Sequence, residues 1–224
     1  MRVEEWMTKN VIAISPATSI MKAARIMKEN NIRRLPVVDA GGQVTGIVSD
    51  RDIKEASPSK ATTLDMYELY HLLADMKVAD IMSRPPICAL RDDSVEGVAA
   101  VMIEKNFGGM PVVNGEGKLI GIITESDIFR LLVSITGVHS GGMQLAFRLP
   151  MGKGALRAVL DALSEREGRT VSLLTSVDEE TQTRMVYIRL RPMPDEQEEK
   201  IVAEMKAAFP SMLYHVPGLG RRKF

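Results

Sequence analysis

Two short segments of the sequence place a hydroxyl side chain and a carboxylate at the same spacing. Each reads glycine, two apolar residues, a hydroxyl residue, two variable residues and aspartate: GIVSDRD ends at Asp52 and GIITESD ends at Asp127. A carboxylate at such a position can accept hydrogen bonds from two neighbouring hydroxyls, such as the 2′ and 3′ groups of a ribose. The hydroxyls of Ser49 and Thr124, with the unbonded N–H groups at a helix start, can take a phosphate or further ribose contacts.

An ordinary structural role is the alternative interpretation of Asp52 and Asp127. Aspartate is a favoured N-cap, so either residue seen once would be read as the start of a helix. The same pattern in two places favours the ligand interpretation, because the surrounding sequence repeats as well.

The first 56 residues recur as a second copy, at a constant offset and without a gap. Met7 recurs as Met82, and Pro36-Val37-Val38 recurs as Pro111-Val112-Val113. Two copies are too few for a solenoid or a propeller. We therefore expect two small units packed as a pseudo-twofold pair, with ligand sites in the clefts between them.

Each copy carries the signals of a β-α-β-β-α unit, which predicts an α+β fold. An extended stretch (10–14, 85–89) precedes an amphipathic helix, a hairpin turning at 39–42 or 114–117, and a last helix that begins near Asp52 or Asp127. The N-cap of the first helix is predicted at Thr18 or Ser19 and, in the second copy, at Asp93 or Ser94. A unit of about 55 residues has a small core, so pairing of the copies is expected on energetic grounds.

The C-terminal part of the chain does not match the repeat. Strands are predicted at 145–149, 170–177, 184–191 and 211–216, with one helix after the first strand and another over 195–209. This order, βαββαβ, is the ferredoxin-like pattern. In the third strand, Val186, Ile188 and Leu190 alternate with Tyr187, Arg189 and Arg191, which marks one buried face.

The predicted organisation has six parts. They are repeat one (1–56), a linker with a helix over 64–76 (57–76), repeat two (77–134), a second linker (135–142), the C-terminal domain (143–217) and a tail (218–224).

Composition narrows the classes of function. Lys+Arg and Asp+Glu are both 29, so the zero net charge disfavours a nucleic-acid binder. One cysteine excludes an internal disulfide and suits a reducing compartment, and three histidines far apart in sequence argue against a zinc site. No apolar stretch approaches 18 residues, so we expect a soluble, cytoplasmic protein without a membrane partner.

The separated motifs together resemble a pair of CBS domains, also called a Bateman module. The resemblance rests on Met7-Thr8, the segment LPVVD at 35–39 and both glycine-to-aspartate segments, and it covers about residues 1–134. It implies binding of an adenosine-containing ligand, such as AMP, ADP, ATP, S-adenosylmethionine or a cyclic dinucleotide. It also implies self-association into a homodimer.

The same resemblance implies roles for single residues. Asp52 and Asp127 match the ribose-binding aspartate, and Ser49 and Thr124 match the hydroxyl residue. The adenine slots would be lined by Ile12, Ala13, Ile87 and Cys88.

The two predicted clefts differ in charge. The first copy has Arg33-Arg34 before its hairpin, where this family often places phosphate-binding residues, and the second has Gly108-Gly109. Arginine supplies bidentate phosphate donors, whereas glycine supplies only space and backbone. A solvated surface pair is the alternative interpretation of the arginines. Which aspartate shares a cleft with them stays open.

The C-terminal domain resembles an ACT domain, a module that often binds amino acids at subunit interfaces. The usual Pro-Gly-x-Leu turn is only approximated by the segment PMGKGAL at 150–156. A CBS pair followed by an ACT-like domain is similar in architecture to the acetoin-utilisation type of bacterial regulatory protein.

These observations predict a regulatory ligand-binding protein with an unidentified protein partner, and neither an enzyme nor a cofactor carrier. The sequence has no nucleophile–base pair, no phosphate-binding loop of the Walker type and no GxGxxG after a strand. The alternatives are a structural oligomer with unoccupied clefts and an amino-acid sensor acting through the ACT-like domain.

Overall fold

The computed structural model describes residues 1–56 and 75–218, which form two compact units, Met1–Phe129 and a second unit from Arg130 onwards. The boundary between the units falls within a helix. Most of the helix predicted over 64–76 and of the tail predicted over 218–224 lies outside the described residues.

The first unit contains both copies of the repeat, with matching elements. The first copy forms α1 (Val3–Trp6), α2 (Ile20–Glu29), β1 (Arg34–Val38), β2 (Val44–Ser49) and α3 (Asp50–Ala56). The second forms α4 (Val78–Ile81), β3 (Ala89–Leu90), α5 (Val95–Lys105), β4 (Gly109–Val113), β5 (Leu119–Thr124) and α6 (Glu125–Ile135).

The predicted N-caps are confirmed at one of the two candidate residues in each copy. Ser19 Oγ accepts a hydrogen bond from the Lys22 N–H (3.3 Å), and Ser94 Oγ accepts one from the Gly97 N–H (3.0 Å). These bonds satisfy N–H groups that would otherwise lack a partner at the start of α2 and α5.

The two hairpins have the same register. Pro36 pairs with Ile47 in the first copy, and Pro111 pairs with Ile122 in the second. A register shift falls at the equivalent place in each, next to Val38 and next to Val113. The repetition seen in the sequence is therefore repeated in the backbone.

The extended stretches that precede α2 and α5 form less sheet than predicted. In the first copy Ile14 makes a single parallel bridge to Val37. In the second copy only Ala89–Leu90 forms a strand, parallel to β4. Each stretch runs from one copy to the other, so little of its length lies beside its own hairpin.

Each copy sends its leading segment onto the hairpin of the other copy. Thr8 exchanges backbone hydrogen bonds with Ile122, at 2.9 and 3.0 Å, and Ser83 exchanges them with Ile47, at 2.9 and 3.2 Å. Val78 from α4 packs into the core formed by α2, β1 and β2 of the first copy. The two copies are therefore interlocked rather than merely adjacent.

The interlocking explains two of the repeated residue types. The side chain of Met7 packs directly over Gly121, and that of Met82 packs over Gly46. A Cβ atom at Gly46 would lie 2.6 Å from the Met82 sulfur, which is too close for a real contact. Each methionine therefore occupies the space beside a glycine of the other copy.

The second unit contains one four-stranded antiparallel sheet with helices packed on one face. Its elements are a short 3₁₀ turn (Val138–Ser140), β6 (Gln144–Pro150), α7 (Ala155–Glu165), β7 (Thr170–Asp178), β8 (Thr183–Leu190), α8 (Asp195–Ala208) and β9 (Met212–Val216). The strand order is β7-β8-β6-β9. Its core is formed by the inward residues of β6 and β8 with α7 and α8, and Phe147 stacks edge-on against Phe209.

One residue of this unit departs from the predicted alternation. Val186, Ile188 and Leu190 are buried as expected, but Arg189 on the opposite face of β8 is only 6% exposed. Its guanidinium donates to the carbonyl oxygens of Thr136 (2.8 Å) and Gly142 (3.1 Å). The predicted linker segment therefore covers this end of the sheet. Burial of the Arg189 guanidinium lowers its pKa.

Candidate functional site

The first copy holds its aspartate by two short hydrogen bonds at the end of β2. Both the N–H and the Oγ–H of Ser49 donate to Oδ2 of Asp52, at 2.6 and 2.7 Å. The Asp52 N–H lies 3.3 Å from Ser49 Oγ, which completes a reciprocal capping arrangement. A carboxylate has about four lone-pair sites. Two bonds therefore orient Asp52 without using its whole acceptor capacity.

The second copy repeats this geometry at the end of β5. The N–H and Oγ1–H of Thr124 donate to Oδ2 of Asp127, at 2.8 and 2.6 Å. Asp127 is 1% exposed, whereas Asp52 is half-buried. The two carboxylates are thus positioned alike but differ in their access to solvent.

The last helix of each copy begins two residues earlier than predicted. α3 begins at Asp50 and α6 begins at Glu125, so Asp52 and Asp127 are third residues of their helices rather than first. The sequence pattern hydroxyl-x-x-aspartate is the signal for this arrangement, since a carboxylate at the third position can turn back to the residue before the helix. Sequence reasoning also missed Asp50 and Glu125 themselves, which bring two more carboxylates to these helix starts.

Arg34 crosses from the first copy to the second. Its guanidinium donates to the carbonyl oxygen of Gly108. A Cβ atom at Gly109 would lie 2.8 Å from both Cδ and Nη1 of Arg34, and one at Gly108 would lie 2.7 Å from Nη2. The absence of side chains at Gly108 and Gly109 therefore provides the room that Arg34 occupies.

Carboxylates from both copies interact electrostatically with Arg34. Burial lowers the pKa of its guanidinium, and Glu125 and Asp50 oppose that effect more strongly than Asp52 does. Arg33 has an exposed side chain, and its carbonyl oxygen accepts a hydrogen bond from the Asp50 N–H (2.8 Å). The two arginines are therefore not equivalent: Arg34 is fixed between the copies and Arg33 extends into solvent.

The residues predicted to line the adenine slots lie in the segments that join the two copies. Ile12 and Ala13 lie between the bridge from Thr8 to the second copy and the bridge from Ile14 to the first. The equivalent segment of the second copy runs from Ser83 to Ala89 and carries Ile87 and Cys88.

Their exposure fits an open apolar surface. Ile12 is 38% exposed and Ile87, at the equivalent position of the second copy, is 44% exposed. Both values are high for isoleucine, which is usually buried. Cys88 is half-buried, and its burial raises the pKa of the thiol.

Neither a metal-ligand cluster nor a membrane-spanning helix is found among the described residues. Across residues 1–56 and 75–218, no three His, Cys, Asp or Glu side chains converge in the way that a metal ion requires. Within the same ranges, no helix combines the length and the apolar character needed to cross a membrane.

Comparison with protein families identifies the repeat. The CBS domain family matches twice, at residues 3–59 and 78–134. A CBS domain-containing protein of Dictyostelium discoideum is 34% identical over 133 residues, which are 59% of this chain and 92% of that protein. Some longer relatives from Methanocaldococcus jannaschii are matched over 46% or 23% of their own length.

Solved structures agree with this match. The CBS domain pair of protein MJ0100, in complex with 5′-methylthioadenosine and S-adenosylmethionine, is 32% identical with a TM-score of 0.51 and covers 60% of this chain and 97% of its own. CBSX2 of Arabidopsis thaliana in complex with AMP is 28% identical, with a TM-score of 0.51 and coverage of 60% and 98%. An acetoin utilization protein of Vibrio cholerae is 25% identical, with a TM-score of 0.52 and coverage of 62% and 95%.

Proposed function

Because the chain belongs to the CBS domain family, we propose that its paired repeats bind an adenosine-containing ligand and act as a regulatory module rather than as an enzyme. The observation that carries this proposal is the duplicated, pre-oriented carboxylate. Asp52 and Asp127 are each held by a backbone N–H and a hydroxyl at the end of a strand. A pre-oriented acceptor of this kind suits the paired hydroxyls of a ribose.

The ligands of related proteins support the same chemistry. The MJ0100 pair is described with 5′-methylthioadenosine and S-adenosylmethionine, and CBSX2 with AMP. Those three molecules share an adenosine group and differ in charge at the 5′ position. The adenosine group is therefore the recognised part in this proposal, and the 5′ substituent selects among ligands.

We assign the recognition of the ligand's 5′ substituent to Arg33 and Arg34. Arg34 lies where carboxylates of both copies meet, so an anionic 5′ group there would replace carboxylates as its partner. Arg33 is exposed and available to the same group at the first copy. The second copy has no cationic side chain of its own at Gly108 or Gly109, where Arg34 of the first copy lies instead. The cleft that also has Arg33 therefore prefers a phosphorylated ligand, and the other prefers an uncharged or cationic adenosyl group.

The second unit is assigned a ferredoxin-like topology of the ACT-like type, as a domain spanning about 143–217. The strand order β7-β8-β6-β9 and the packing of both helices against one face support this assignment. In this proposal it follows the CBS pair (1–56 and 77–134) as the unit that responds to ligand, in a cytoplasmic homodimer that regulates another protein.

Calorimetric titration of the full chain with AMP, ADP, ATP, S-adenosylmethionine and cyclic di-AMP tests the proposal. Binding of at least one ligand at micromolar concentration is expected. Asp52→Ala or Asp127→Ala should weaken the binding about 100-fold, because charged hydrogen bonds to the ribose are each worth about 1.5–3 kcal/mol. Asp92→Ala is the matched control, since Asp92 is an exposed aspartate whose side chain is 69% accessible.

Arg34→Gln separates the recognition of adenosine from that of phosphate. It should weaken binding of ADP or ATP about tenfold while leaving binding of adenosine unchanged. If none of the five ligands binds, or if Asp92→Ala lowers affinity as much as Asp52→Ala and Asp127→Ala do, the proposal is overturned and the clefts serve only as a scaffold.

A further inference from the structure

A cavity of about 480 Å³ lies in the second unit, at the end of its sheet. It is bounded by the loop at 150–154, the first turns of α7 and the start of β8. The volume falls within the range of about 300–1,000 Å³ that is usual for small-molecule sites. Its apolar walls include Leu156 and Leu160, and its charged groups are Lys153, Arg157, Arg184 and Asp161.

Arg184 brings a cationic side chain to the wall of this cavity. It pairs with Leu149 of β6, and Leu149 belongs to the buried core, so the Arg184 side chain leaves the sheet on the helix-covered face. Its Nε is fully shielded from solvent and has no hydrogen-bond partner within residues 1–56 and 75–218. Only this atom is closed off, because Arg184 as a whole is partly exposed and lines the cavity wall. A ligand in the cavity therefore meets the accessible part of the Arg184 side chain and not Nε.

The loop adds further donors on the other side of the cavity. Gly154 has a positive φ of 92° and precedes α7 without any side-chain cap. The first N–H groups of the 11-residue helix α7 therefore lack a capping acceptor, and they carry the positive end of the helix dipole. A Cβ atom at Gly152 or Gly154 would meet nothing within 4 Å, so the loop leaves this side open.

The charges of the cavity do not balance. Asp161 lies 3.5 Å from Arg157, one turn away on the same helix, and so offsets one of the three cations. Lys153 and Arg184 leave an excess of two positive charges. A ligand with two negative charges matches that excess, whereas a zwitterion would bring an ammonium group towards cations.

We propose that this cavity is a second ligand site and that it binds a small organic dianion, either a dicarboxylate or a phosphate monoester. Arg184 and Lys153 hold the charged groups, with the N–H groups of α7 as additional donors. Leu156 and Leu160 cover the carbon skeleton. This site lies wholly within the second unit and is independent of the adenosine function proposed for the CBS pair.

Titration of the full chain with matched probes tests the proposal. Succinate is compared with succinamide, and glycerol 3-phosphate with glycerol, by calorimetry and by amide chemical shifts of residues 150–161. We expect at least one dianion to bind and both uncharged probes to fail. Raising NaCl from 50 to 500 mM should weaken the binding several-fold, because the attraction is screened.

Variants locate the site. Arg184→Gln should weaken dianion binding at least tenfold, and Arg184→Lys should restore part of it by returning the charge. Arg148→Gln is the control, since Arg148 is an exposed arginine on the neighbouring strand β6 and does not line the cavity. The same titration on the Asp52→Ala/Asp127→Ala chain should be unchanged, which separates this site from the CBS clefts.

Three results would overturn the proposal. They are the absence of any dianion binding at millimolar concentration, equal binding of succinate and succinamide, and tighter binding of leucine than of either dianion. The last result would instead indicate a site for amino acids.

Discussion

The two copies of the CBS repeat differ most where their sequences depart from the repeat. Ser49 and Asp52 make the same two hydrogen bonds as Thr124 and Asp127, within 0.2 Å. At the start of the hairpin, however, the first copy carries an arginine that crosses into the space left by glycines of the second copy. The positions that match in the two copies form two carboxylate sites of equal geometry. The positions that differ determine which charged groups lie near each carboxylate.

The comparison also shows that the copies are equal only in geometry. Asp127 is buried and Asp52 is half-buried, so the same pair of hydrogen bonds is formed in a drier place in the second copy. A hydrogen bond to a charged group is worth more where water does not compete. We therefore expect the two aspartates to contribute different amounts to stability although their hydrogen-bond distances agree.

The largest expected effect is a difference in the free energy of unfolding between the variants of the two aspartates. Asp127→Ala should lower the free energy of unfolding by about 3 kcal/mol, because it leaves the Thr124 N–H and hydroxyl without their acceptor in a buried place. Asp52→Ala should cost about 1 kcal/mol, as expected for loss of a partly exposed capping residue. Urea denaturation followed by fluorescence of Trp6, the single tryptophan of the chain, measures both in the first unit. Equal losses would contradict the asymmetry.

Gly109→Ala tests whether the glycines of the second copy are needed to accommodate Arg34. The new Cβ would lie 2.8 Å from Arg34 and 3.2 Å from the Ile123 carbonyl oxygen, so we expect a loss of about 2 kcal/mol. Gly115→Ala is the control, because a Cβ there meets nothing within 4 Å.

A double-mutant cycle assigns the Gly109→Ala loss to Arg34. In the Arg34→Ala background, Gly109→Ala should cost about 1 kcal/mol less than in the natural chain. An unchanged cost would show that the clash is with Ile123 alone.

Met7→Ala and Met82→Ala test whether the methionine–glycine contacts, which both copies form, contribute equally to stability. Each methionine is partly buried and packs over the glycine of the other copy. We expect each substitution to cost about 1.5 kcal/mol, below the range for a fully buried methionine. The measurement is again unfolding followed by Trp6 fluorescence. A difference above about 1 kcal/mol between them would show that the interlocking is not symmetric.

Local features of the fold could be predicted from the sequence. The hairpins, the caps at Ser19 and Ser94 and the elements of the second unit depend on residues close together in the chain. Ser-x-x-Asp is also a local signal, although the helix starts predicted near Asp52 and Asp127 lie two residues after the observed ones.

Features that depend on two distant segments could not be predicted. The destination of the Arg34 guanidinium is set by glycines of the other copy, and no spacing within one copy indicates it. Arg189 lies on the face of β8 that the alternation predicts to be exposed, and its burial depends on the segment 136–142, which the sequence presents only as a glycine-containing linker. The cavity of the second unit is likewise formed by a loop, a helix and a strand together.

The smallest expected effect concerns a pair that only the first copy has. Lys54 lies 2.8 Å from Asp50 on α3, and the equivalent position in the second copy is Phe129. Both side chains are exposed, at 76% and 42%, so Lys54→Gln should cost about 0.3–0.5 kcal/mol at low salt and almost nothing in 1 M NaCl. Lys22→Gln on α2 is the control, since this exposed lysine has no ion pair within the described residues.

The pH dependence of the same variant gives the sign of the interaction. The hydrogen bond from Lys54 lowers the pKa of Asp50, with burial opposing it. A lowered carboxyl pKa adds stability that is present above the ordinary aspartate pKa and is lost as the pH falls through the lowered value. Lys54→Gln should therefore reduce the loss of stability on acidification. An unchanged acid profile would mean that Asp50 is stabilised mainly by Arg33 and Arg34. The start of α3 would then belong to the group of charges around Arg34, to which both copies contribute.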